Sequence, residues 1–277
     1  VYKRQDLRNL SDEEFNQIEN VFNKTGVVVF RNQKLAPQDL IDFSKRFGEV
    51  EKHLRQEFSL EGFNEIHVLS NIKQGERTIG SAYAGDAWHA DLCFKKAPSR
   101  MSILFSLEIP HDENGNPLGD TLFASAADAY DRLSTSKKSQ IAGLRGIMQY
   151  NRRQEIKRLE RAKDHPRPPL TDEQKAKTPD ITQPIVRIHP LSKRKCIYVN
   201  ETYTFGIYGM NEEEAISILN ELQNEVIVAD KIYRHKWKVG DVIMWDNCLT
   251  QHKAIGDYKL PQRRKLLRTS ISGTPVE

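Results

Sequence analysis

The stretch Gly85-Asp86-Ala87-Trp88-His89-Ala90-Asp91 decides the fold class and the chemistry that this 277-residue chain can support. Residues i and i+2 of a β-strand point to the same side, so His89 and Asp91 can bind one ion while the Ala90 side chain points to the opposite face. Two imidazoles and one carboxylate form the facial triad of non-haem Fe(II), which leaves coordination positions open. His252, far along the chain, can supply the second imidazole. We therefore predict an Fe(II) site of His89, Asp91 and His252, built from two strands that the fold brings together.

Four further motifs accompany this metal pattern. They read Gly-Asp-Thr at 119–121, Val-Asn-Glu at 199–201, Trp-Asp-Asn-Cys-Leu-Thr-Gln-His at 245–252 and Pro-Gln-Arg-Arg at 261–264. In this order, and together with Trp88-His89-Ala90-Asp91, they resemble the TauD/TfdA family of 2-oxoglutarate-dependent Fe(II) dioxygenases. The resemblance runs from Phe30-Arg31-Asn32-Gln33 to Ile271-Ser272-Gly273 and so covers nearly the whole chain.

The resemblance implies a fold, a set of cofactors and a reaction. The fold is mostly β with flanking helices, a double-stranded β-helix of the jelly-roll, cupin-like type, with residues 1–277 as a single domain. The cofactors are Fe(II), 2-oxoglutarate as cosubstrate, and O2. The reaction is the oxidation, most often the hydroxylation, of a C–H bond in a small molecule, with release of succinate and CO2. Asp91 favours an oxygen-derived outcome, because related halogenases have a small residue at that position.

The far carboxylate of 2-oxoglutarate requires a cation that stays charged and can donate two parallel hydrogen bonds, which is arginine. Arg264 matches the family's position for this role, and Thr121 adds a hydroxyl donor by the same resemblance. If residues 264–271 form a strand, Arg264 and Arg268 face one side and Arg263 faces the other. We therefore expect Arg268 in the same pocket, near the C1 carboxylate of 2-oxoglutarate or an anionic group of the substrate. The alternative interpretation of this basic run is a solvated edge strand.

The resemblance also indicates residues of the substrate pocket. The candidates for substrate contacts are Asn71, Tyr83, Asn200, Tyr203 and Arg268. Taurine dioxygenases have a histidine upstream of the metal pair that helps to bind the sulfonate, and Ser59 occupies that place here. We therefore do not expect taurine as the substrate, and Arg268 favours a small organic acid or another anion.

Composition limits the class of protein. With 38% hydrophobic and 29% charged residues, the chain fits a soluble globular protein of one large or two small domains. Its net charge of +4 is small for this length, so no nucleic-acid partner is expected. It contains no run of about 18 apolar residues, and Val1-Tyr2-Lys3-Arg4 is not followed by the apolar stretch of a secretory signal. We therefore expect neither a membrane span nor a secretory signal.

The three cysteines, Cys93, Cys196 and Cys248, are widely spaced and odd in number, which does not suggest a disulfide framework. The pattern is typical of reduced thiols, so we expect a cytoplasmic location and cysteines that serve as small buried side chains. Thiolate ligation of the metal by Cys93 or Cys248 is the alternative, but sulfur ligands suit zinc or copper better than this oxygen-activating triad.

Local patterns predict helices around the β-rich part of the chain. Ser11 and Glu14 form a capping box that starts one helix. A second amphipathic helix is expected over residues 36–48, ending at a glycine. A third opens at Asn211 and runs to residue 224, with three glutamates in its first turn.

Residues 149–183 differ from the rest of the chain, because Arg, Lys, Glu and Pro are frequent there and apolar residues are few. Nine Lys/Arg against six Asp/Glu give only a weak positive bias, and Tyr150 is the one aromatic residue. A helix that binds a nucleic-acid strand is the alternative, but it would be expected to interleave aromatic residues with the basic ones. We therefore predict a polar, lid-like insertion. In the resembling family this region often covers the mouth of the active site.

The remaining histidines are not expected to bind the metal. His67 is interpreted as a pocket-edge or core residue. The others lie in polar or turn contexts that predict surface or loop positions: His53, His111, His165, His189 and His235.

Two alternative functions share the same residues. A biosynthetic oxygenase for natural products would use the same iron chemistry for desaturation, cyclisation or decarboxylation. A jelly roll that binds metal without catalysis belongs to a different class, and the intact metal pattern and Arg264 disfavour it. The partner is expected to be a small-molecule substrate. Members of the family are often dimers or tetramers, so a homo-oligomer is expected.

Overall fold

The computed structural model describes residues 2–3, 5–52, 56–75, 77–82, 84–160 and 168–276. Within these ranges the α-helices are α1 (Asp12–Thr25), α2 (Pro37–Lys45), α3 (Ala126–Arg132), α4 (Thr135–Ile141), α5 (Tyr150–Glu160), α6 (Asp172–Ala176) and α7 (Glu212–Val226). The strands are β1 (Tyr2–Lys3), β2 (Val27–Phe30), β3 (Ser59–Leu60), β4 (Phe63–Ser70), β5 (Lys73–Gln74), β6 (Arg77–Thr78), β7 (Met101–Glu108), β8 (Thr121–Ser125), β9 (Arg145–Met148), β10 (Ile181–Pro184), β11 (Val186–Ile188), β12 (Lys195–Ile197), β13 (Thr204–Ile207), β14 (Tyr233–His235), β15 (Val242–Asp246), β16 (Thr250–Ala254) and β17 (Lys265–Ile271).

Seven strands form the larger sheet, in the order β1-β2-β15-β7-β17-β4-β3. All neighbours pair antiparallel except β1 and β2, which pair parallel. Helices α1 and α2 cover one face, where Phe22 and Leu40 join Val28, Met244 and Leu267 in one hydrophobic cluster. These helices are amphipathic, so the sheet buries their apolar sides and leaves their charged sides in water.

A second sheet of three strands, β14-β8-β16, packs against the larger sheet. Phe123 of β8 shares a buried cluster with Leu104 of β7, and its ring lies 5.7 Å from that of Trp245 on β15. The space between the two sheets is therefore a second apolar core. His252 of β16 and Arg268 of β17 both approach Asp91, at 4.0 Å and 3.1 Å.

The remaining strands form a three-stranded sheet, β10-β9-β13, and two hairpins, β11-β12 and β5-β6. Helices α3 and α7 pack beside them in a further hydrophobic cluster that includes Ile185, Ile207 and Leu222. Trp88, the residue before His89, is buried in this cluster. Its burial anchors the metal-pattern segment to the protein interior.

The predicted helices are present, with small differences at their ends. In the capping box, the Ser11 amide donates to Glu14 Oε2 at 2.9 Å and the Glu14 amide donates to Ser11 Oγ at 3.2 Å. Asn211 caps α7 as predicted, and the helix continues two residues beyond residue 224. Helix α2 ends at Lys45, earlier than predicted. Among the described residues, no helix is both long enough and apolar enough to cross a membrane.

The polar segment 149–183 contains α5, α6 and the start of β10. Residues 161–167 lie outside the described part of the chain. No residue of α5 is fully buried. Its link to the rest of the protein includes Lys157 Nζ, which lies 2.9 Å from Asp86 Oδ1, and Arg153 Nη2, which lies 3.9 Å from the same oxygen. The helix therefore contacts the loop that leads into the metal pattern.

His89 and Asp91 do not lie on a regular strand, so that part of the prediction is wrong. His89 forms an isolated bridge with His252, and Asp91 lies in the turn that follows. Leu92 has a φ of 54°, a left-handed conformation that is uncommon for a leucine. Because the chain turns directly after Asp91, no extended pairing can continue there.

Candidate active site

Three side chains that could hold a metal ion lie together at the edge of the inter-sheet space. His89, Asp91 and His252 are buried, and each offers a ligand atom within 4.8 Å of the others. His89 Nε2 lies 3.6 Å from Asp91 Oδ1, and His252 Nε2 lies 4.0 Å from Asp91 Oδ2. In the described ranges this is the one cluster of His, Cys, Asp or Glu with such spacing. The fold thus brings together residues from two motifs that are distant in sequence.

Backbone hydrogen bonds hold the two histidines side by side. The amide of each donates to the carbonyl of the other, at 3.1 and 2.9 Å, and the ring centroids lie 4.1 Å apart. Glu201 Oε1 accepts the backbone amide of Trp88 at 2.8 Å, and the Thr202 hydroxyl donates to the Trp88 carbonyl at 2.8 Å. The Val-Asn-Glu motif and the residue after it therefore fix the segment just before His89.

Gly85 allows the preceding loop to approach the site closely. Its φ is 76°, and a Cβ at this position would lie 3.1 Å from Cε1 of His89. The carbonyl of Gly85 also accepts the amide of Ala254, at 2.7 Å, which ties the loop to β16. A side chain here would strain the backbone and crowd the imidazole.

The surroundings of the three side chains set their hydrogen bonds and, for two of them, the direction of the pKa. His89 Nδ1 lies 2.9 Å from the carbonyl of Ala87, which can only accept, so Nδ1 carries a proton and Nε2 is the nitrogen that can face a metal. Burial and the neighbouring His89 hold the pKa of His252 well below its usual value, so this ring is neutral. Burial alone would raise the pKa of Asp91, but Arg268 and the two histidines hold it well below its usual range.

This donor set fits Fe(II). Neutral imidazoles and an ionised carboxylate are the states that metal ligation requires, and the 2-His-1-carboxylate set is the one non-haem iron uses. No cysteine belongs to the cluster. Cys93, Cys196 and Cys248 are free and buried, as predicted, and burial raises the pKa of the Cys93 thiol to about 12.

Arg264 is buried one residue before β17. Its Nη2 donates to the Gly119 carbonyl at 3.2 Å, and its guanidinium carbon lies 5.5 Å from the centre of the Tyr258 ring. Its Nε has no hydrogen-bond partner in the described part of the chain. A Cβ on Gly119 would lie 2.9 Å from that Nε, so glycine is required for the arginine to lie here. A buried guanidinium with an unused donor suits a carboxylate ligand.

Thr121 and Arg268 contact the same inter-sheet space from opposite sheets. Thr121 Oγ1 accepts the indole N–H of Trp237 at 3.1 Å, which leaves the hydroxyl proton available for donation. Arg268 Nη1 donates to Asp91 Oδ1 at 3.1 Å, and its side chain is 11% exposed. Arg263, by contrast, is exposed and pairs with Glu108 at 3.0 Å. The alternation predicted for this basic run is therefore present, and a solvated edge strand is not.

The two asparagines predicted for the substrate pocket bind protein groups. Asn71 Oδ1 accepts the Arg264 amide at 2.9 Å, and its Nδ2 donates to the Gln262 carbonyl at 2.8 Å. Asn200 Oδ1 accepts the Tyr203 amide at 3.0 Å. Both side chains thus shape the backbone near the site, and substrate contacts by them stay a prediction.

Tyr203 lies beside the histidines, with its ring centroid 6.4 Å from that of His89. Phe94 lies 4.9 Å and Tyr150 lies 6.2 Å from the Tyr203 ring, and we call these three residues the aromatic wall. The sequence did not indicate Phe94 or Tyr150 as pocket residues, because they are far apart and meet only where α5 begins. Tyr83 lies outside the described residues.

Sequence reasoning also missed two polar side chains that contact Asp91. The Ser102 hydroxyl donates to Asp91 Oδ2 at 2.6 Å, and Asn247 Oδ1 accepts the Asp91 amide at 3.1 Å. Asn247 lies within the Trp-Asp-Asn motif, which could have indicated it. Nothing local distinguishes Ser102 within the apolar strand β7.

Two histidines for which the sequence predicts surface or loop positions are buried. The prediction is wrong for His235, which lies on β14, whereas His189 does lie in a loop but not at the surface. His189 Nε2 lies 2.9 Å from Asp246 Oδ2, and His235 Nε2 lies 3.3 Å from Asp241 Oδ2. An aspartate beside each ring offsets the cost of burying it. Of the other four, His67 is buried as expected, His111 is exposed as expected, and His53 and His165 lie outside the described ranges.

A family model described as taurine catabolism dioxygenase TauD, TfdA family, matches residues 3–270. The chain belongs to this family. The predicted enzyme class, a 2-oxoglutarate-dependent non-haem iron dioxygenase, is thereby confirmed, as are its cofactors Fe(II), 2-oxoglutarate and O2.

Relatives within the TauD/TfdA family carry names for different acids. An α-ketoglutarate-dependent sulfonate dioxygenase of Saccharomyces cerevisiae is 30% identical over 280 residues, which cover 98% of this chain and 64% of the yeast protein. The chain therefore spans less than two thirds of that relative. An α-ketoglutarate-dependent 2,4-dichlorophenoxyacetate dioxygenase of Burkholderia sp. (strain RASC) is 29% identical and covers 95% of this chain and 87% of its own.

A solved structure in the comparison has a similar fold. The crystal structure of AAD-2 in complex with Mn(II) and N-oxalylglycine matches with a TM-score of 0.77 at 27% identity, over 98% of this chain and 92% of that one. The sheet-rich fold with flanking helices is therefore one that a metal-binding protein of known structure shares.

Proposed function

We propose that this Fe(II)- and 2-oxoglutarate-dependent dioxygenase oxidises, in most cases by hydroxylation, a C–H bond of a small anionic organic substrate and releases succinate and CO2. The observation that carries the proposal is the buried cluster of His89, Asp91 and His252, with Arg268 in contact with it. Arg264 lies four residues before Arg268 on the same side of the chain, so both guanidinium groups can serve one pocket.

In this proposal His89 and His252 would hold the iron through Nε2, and Asp91 would hold it through one carboxylate oxygen. When bound, the iron would supply binding positions for the 2-oxo acid and for O2. The protein would contribute by keeping the Asp91 carboxylate ionised and the His252 imidazole neutral, and by holding all three side chains in place. Burial and the bridge between the histidines support that role.

Arg264 is proposed to bind the far carboxylate of 2-oxoglutarate, and Thr121 to donate a hydrogen bond to it. The buried guanidinium, its unused Nε–H and the neighbouring ring of Tyr258 support this role. Water is largely excluded there, so a charge-assisted pair is stronger than it would be at the surface.

Arg268 is proposed to bind an anionic group of the substrate or the C1 carboxylate of 2-oxoglutarate. Its contact with Asp91 places a cation beside the metal ligands. The relatives named above act on a sulfonate and on a phenoxyacetate, and both are anions, which supports an anionic substrate. The aromatic wall would line the same pocket with apolar surface. Asn71, Tyr83 and Asn200 remain predicted contacts.

We also propose that the larger sheet and the β14-β8-β16 sheet are the two halves of a double-stranded β-helix, within a single domain over residues 1–277. The apolar core that the two sheets share supports this architecture. Residues 149–183 are proposed to act as a polar lid, which the contacts of α5 with Asp86 support. A small-molecule substrate is proposed, and a homo-oligomer stays a prediction.

The same site could serve a biosynthetic reaction of a natural product. Hydroxylation, desaturation, cyclisation and decarboxylation differ in where the substrate C–H bond lies relative to the iron. Analysis of the product formed from a natural-product acid would distinguish these outcomes, because all of them release succinate.

The proposal is tested by anaerobic titration of the apoprotein with Fe(II) and 2-oxoglutarate, which needs no knowledge of the substrate. We expect a weak visible charge-transfer band in the wild-type protein and none in His89→Ala, with both proteins folded by circular dichroism. A folded wild-type protein without the band would contradict the proposed function. It would favour a jelly roll that binds metal without catalysis.

A further inference from the structure

Strand β7 carries two serines in a run that is otherwise apolar from Met101 to Leu107. Ser102 and Ser106 are four residues apart, so they lie on the same face of the strand. Both residues are 0% exposed. A buried hydroxyl costs free energy unless it is hydrogen-bonded, so the partners of each serine show what it does.

The two serines have different partners. Ser106 donates to the Lys238 carbonyl at 2.6 Å and accepts the Asp241 amide at 2.9 Å, which fixes the turn before β15. Ser102 instead donates to Asp91 Oδ2, also at 2.6 Å. The two serines occupy matched positions, but Ser106 stabilises a backbone turn and Ser102 binds a candidate metal ligand.

Asn247 determines the direction of the bond from Ser102. Its Oδ1 accepts the Asp91 amide at 3.1 Å and the Trp245 indole N–H at 3.0 Å, so its Nδ2 is the atom that faces Ser102, at 3.3 Å. An amide nitrogen can only donate, so the Ser102 oxygen accepts from Asn247. The single hydroxyl proton of Ser102 is thereby directed to Asp91.

The two oxygens of Asp91 are held differently. Oδ2 receives the short, fully buried bond from Ser102 and lies 4.0 Å from His252 Nε2. Oδ1 lies 3.6 Å from His89 Nε2 and receives a longer bond from Arg268, at 3.1 Å. Arg268 has a long side chain that is 11% exposed, so its bond is the one that can rearrange when a ligand enters.

We propose that Ser102, oriented by Asn247, is a positioning residue for the metal. Its hydroxyl holds Oδ2 of Asp91, which would leave Oδ1 as the oxygen available to bind the metal. A carboxylate kept to one oxygen leaves a coordination position open for other ligands. The inference rests on the metal-ligand roles given under the proposed function.

The test measures metal affinity alone, by electron paramagnetic resonance titration of the apoprotein with Mn(II). Loss of a hydrogen bond to a ligating carboxylate weakens metal binding by about 10- to 100-fold. We expect S102A to raise the Kd for Mn(II) at least about tenfold on this basis. We expect S106A, the matched control on the same strand, to leave the Kd within about twofold because its hydroxyl contacts no metal ligand.

A conservative variant distinguishes the effect of losing the hydroxyl from the effect of altered packing. Ser102→Thr keeps the donor, so it is expected to restore most of the Mn(II) affinity that S102A loses. If S102A does not fold, Ser102→Cys takes its place, since a thiol of similar size is a weaker donor, and an intermediate Kd is expected. Equal effects of S102A and S106A, or wild-type Kd values in S102A or Ser102→Cys, would overturn the proposal. Absence of Mn(II) binding by the wild-type protein would instead contradict the metal site itself.

Discussion

Arg263 and Arg264 are adjacent in the chain but lie in opposite environments. Arg264 is buried with an unused donor, whereas Arg263 is exposed and pairs with Glu108. A buried charge-assisted pair with the 2-oxoglutarate carboxylate is worth about 2–3 kcal/mol. We therefore expect Arg264→Ala to weaken 2-oxoglutarate binding by about 30- to 150-fold, from 1.36 kcal/mol per factor of ten. The Kd for 2-oxoglutarate is measured from the charge-transfer band during anaerobic titration of the Fe(II) protein.

Arg263→Ala is the matched control for this prediction. It removes an exposed guanidinium one position away and should leave the Kd for 2-oxoglutarate unchanged, because exposed ion pairs contribute little. If Arg264→Ala binds 2-oxoglutarate as tightly as the wild type does, Arg268 becomes the candidate for binding the far carboxylate. That outcome would not change the assignment of the metal ligands.

Among the secondary-structure elements, α5 has the contact of most interest for function. Lys157 and Arg153 share the carboxylate of Asp86, three residues before His89, and both basic side chains are only 14% exposed. We expect Asp86→Asn to loosen the helix and to speed hydrogen–deuterium exchange of residues 150–160 by about fivefold, since a partly buried pair is worth about 1 kcal/mol. Mass spectrometry of peptides from this segment measures the rate.

The control for α5 lies within the same polar segment. Asp172→Asn removes an ion pair with Lys175 in which both side chains are largely exposed. It is expected to leave the exchange of residues 150–160 unchanged. Equal exchange in Asp86→Asn and wild-type protein would show that the Asp86 carboxylate does not restrain α5.

The secondary-structure elements also show which local structures can be predicted from the sequence and which cannot. The start of α1 at Ser11 and of α7 at Asn211 could be predicted, because a capping side chain bonds to an amide three residues away. The conformation at His89 could not be predicted, since it depends on pairing with His252. Burial of His189 likewise depends on Asp246, which is distant in sequence.

The candidate site shows the same limit. The metal pattern and Arg264 lie in motifs that can be read directly from the chain. Ser102 is an ordinary serine until the sheet places it beside Asp91, and Ser106 looks identical in sequence. Contacts between distant segments set their roles, and only the three-dimensional arrangement reports those contacts.

For the molecule as a whole, the site joins segments that are far apart in sequence. A metal that binds only the folded protein therefore stabilises the entire fold. We expect Mn(II) at 100 times its Kd to add about 2.7 kcal/mol to the free energy of unfolding, which raises Tm by about 5 °C or more for a chain of this size. Thermal melting followed by circular dichroism measures the shift. Asp91→Ala should melt at the same temperature with and without Mn(II), and a similar rise in that variant would point to metal binding elsewhere.

β17 follows all other described strands in the chain, yet it lies between β7 and β4 in the larger sheet. During synthesis on the ribosome, β4 and β7 emerge long before the strand that joins them. Each then has an unpaired edge of backbone donors and acceptors, which can associate with other chains. Such long-range pairing also slows folding. The newly made protein is thus expected to depend on chaperones until β17 is inserted, and Arg268 arrives in the pocket in that same event.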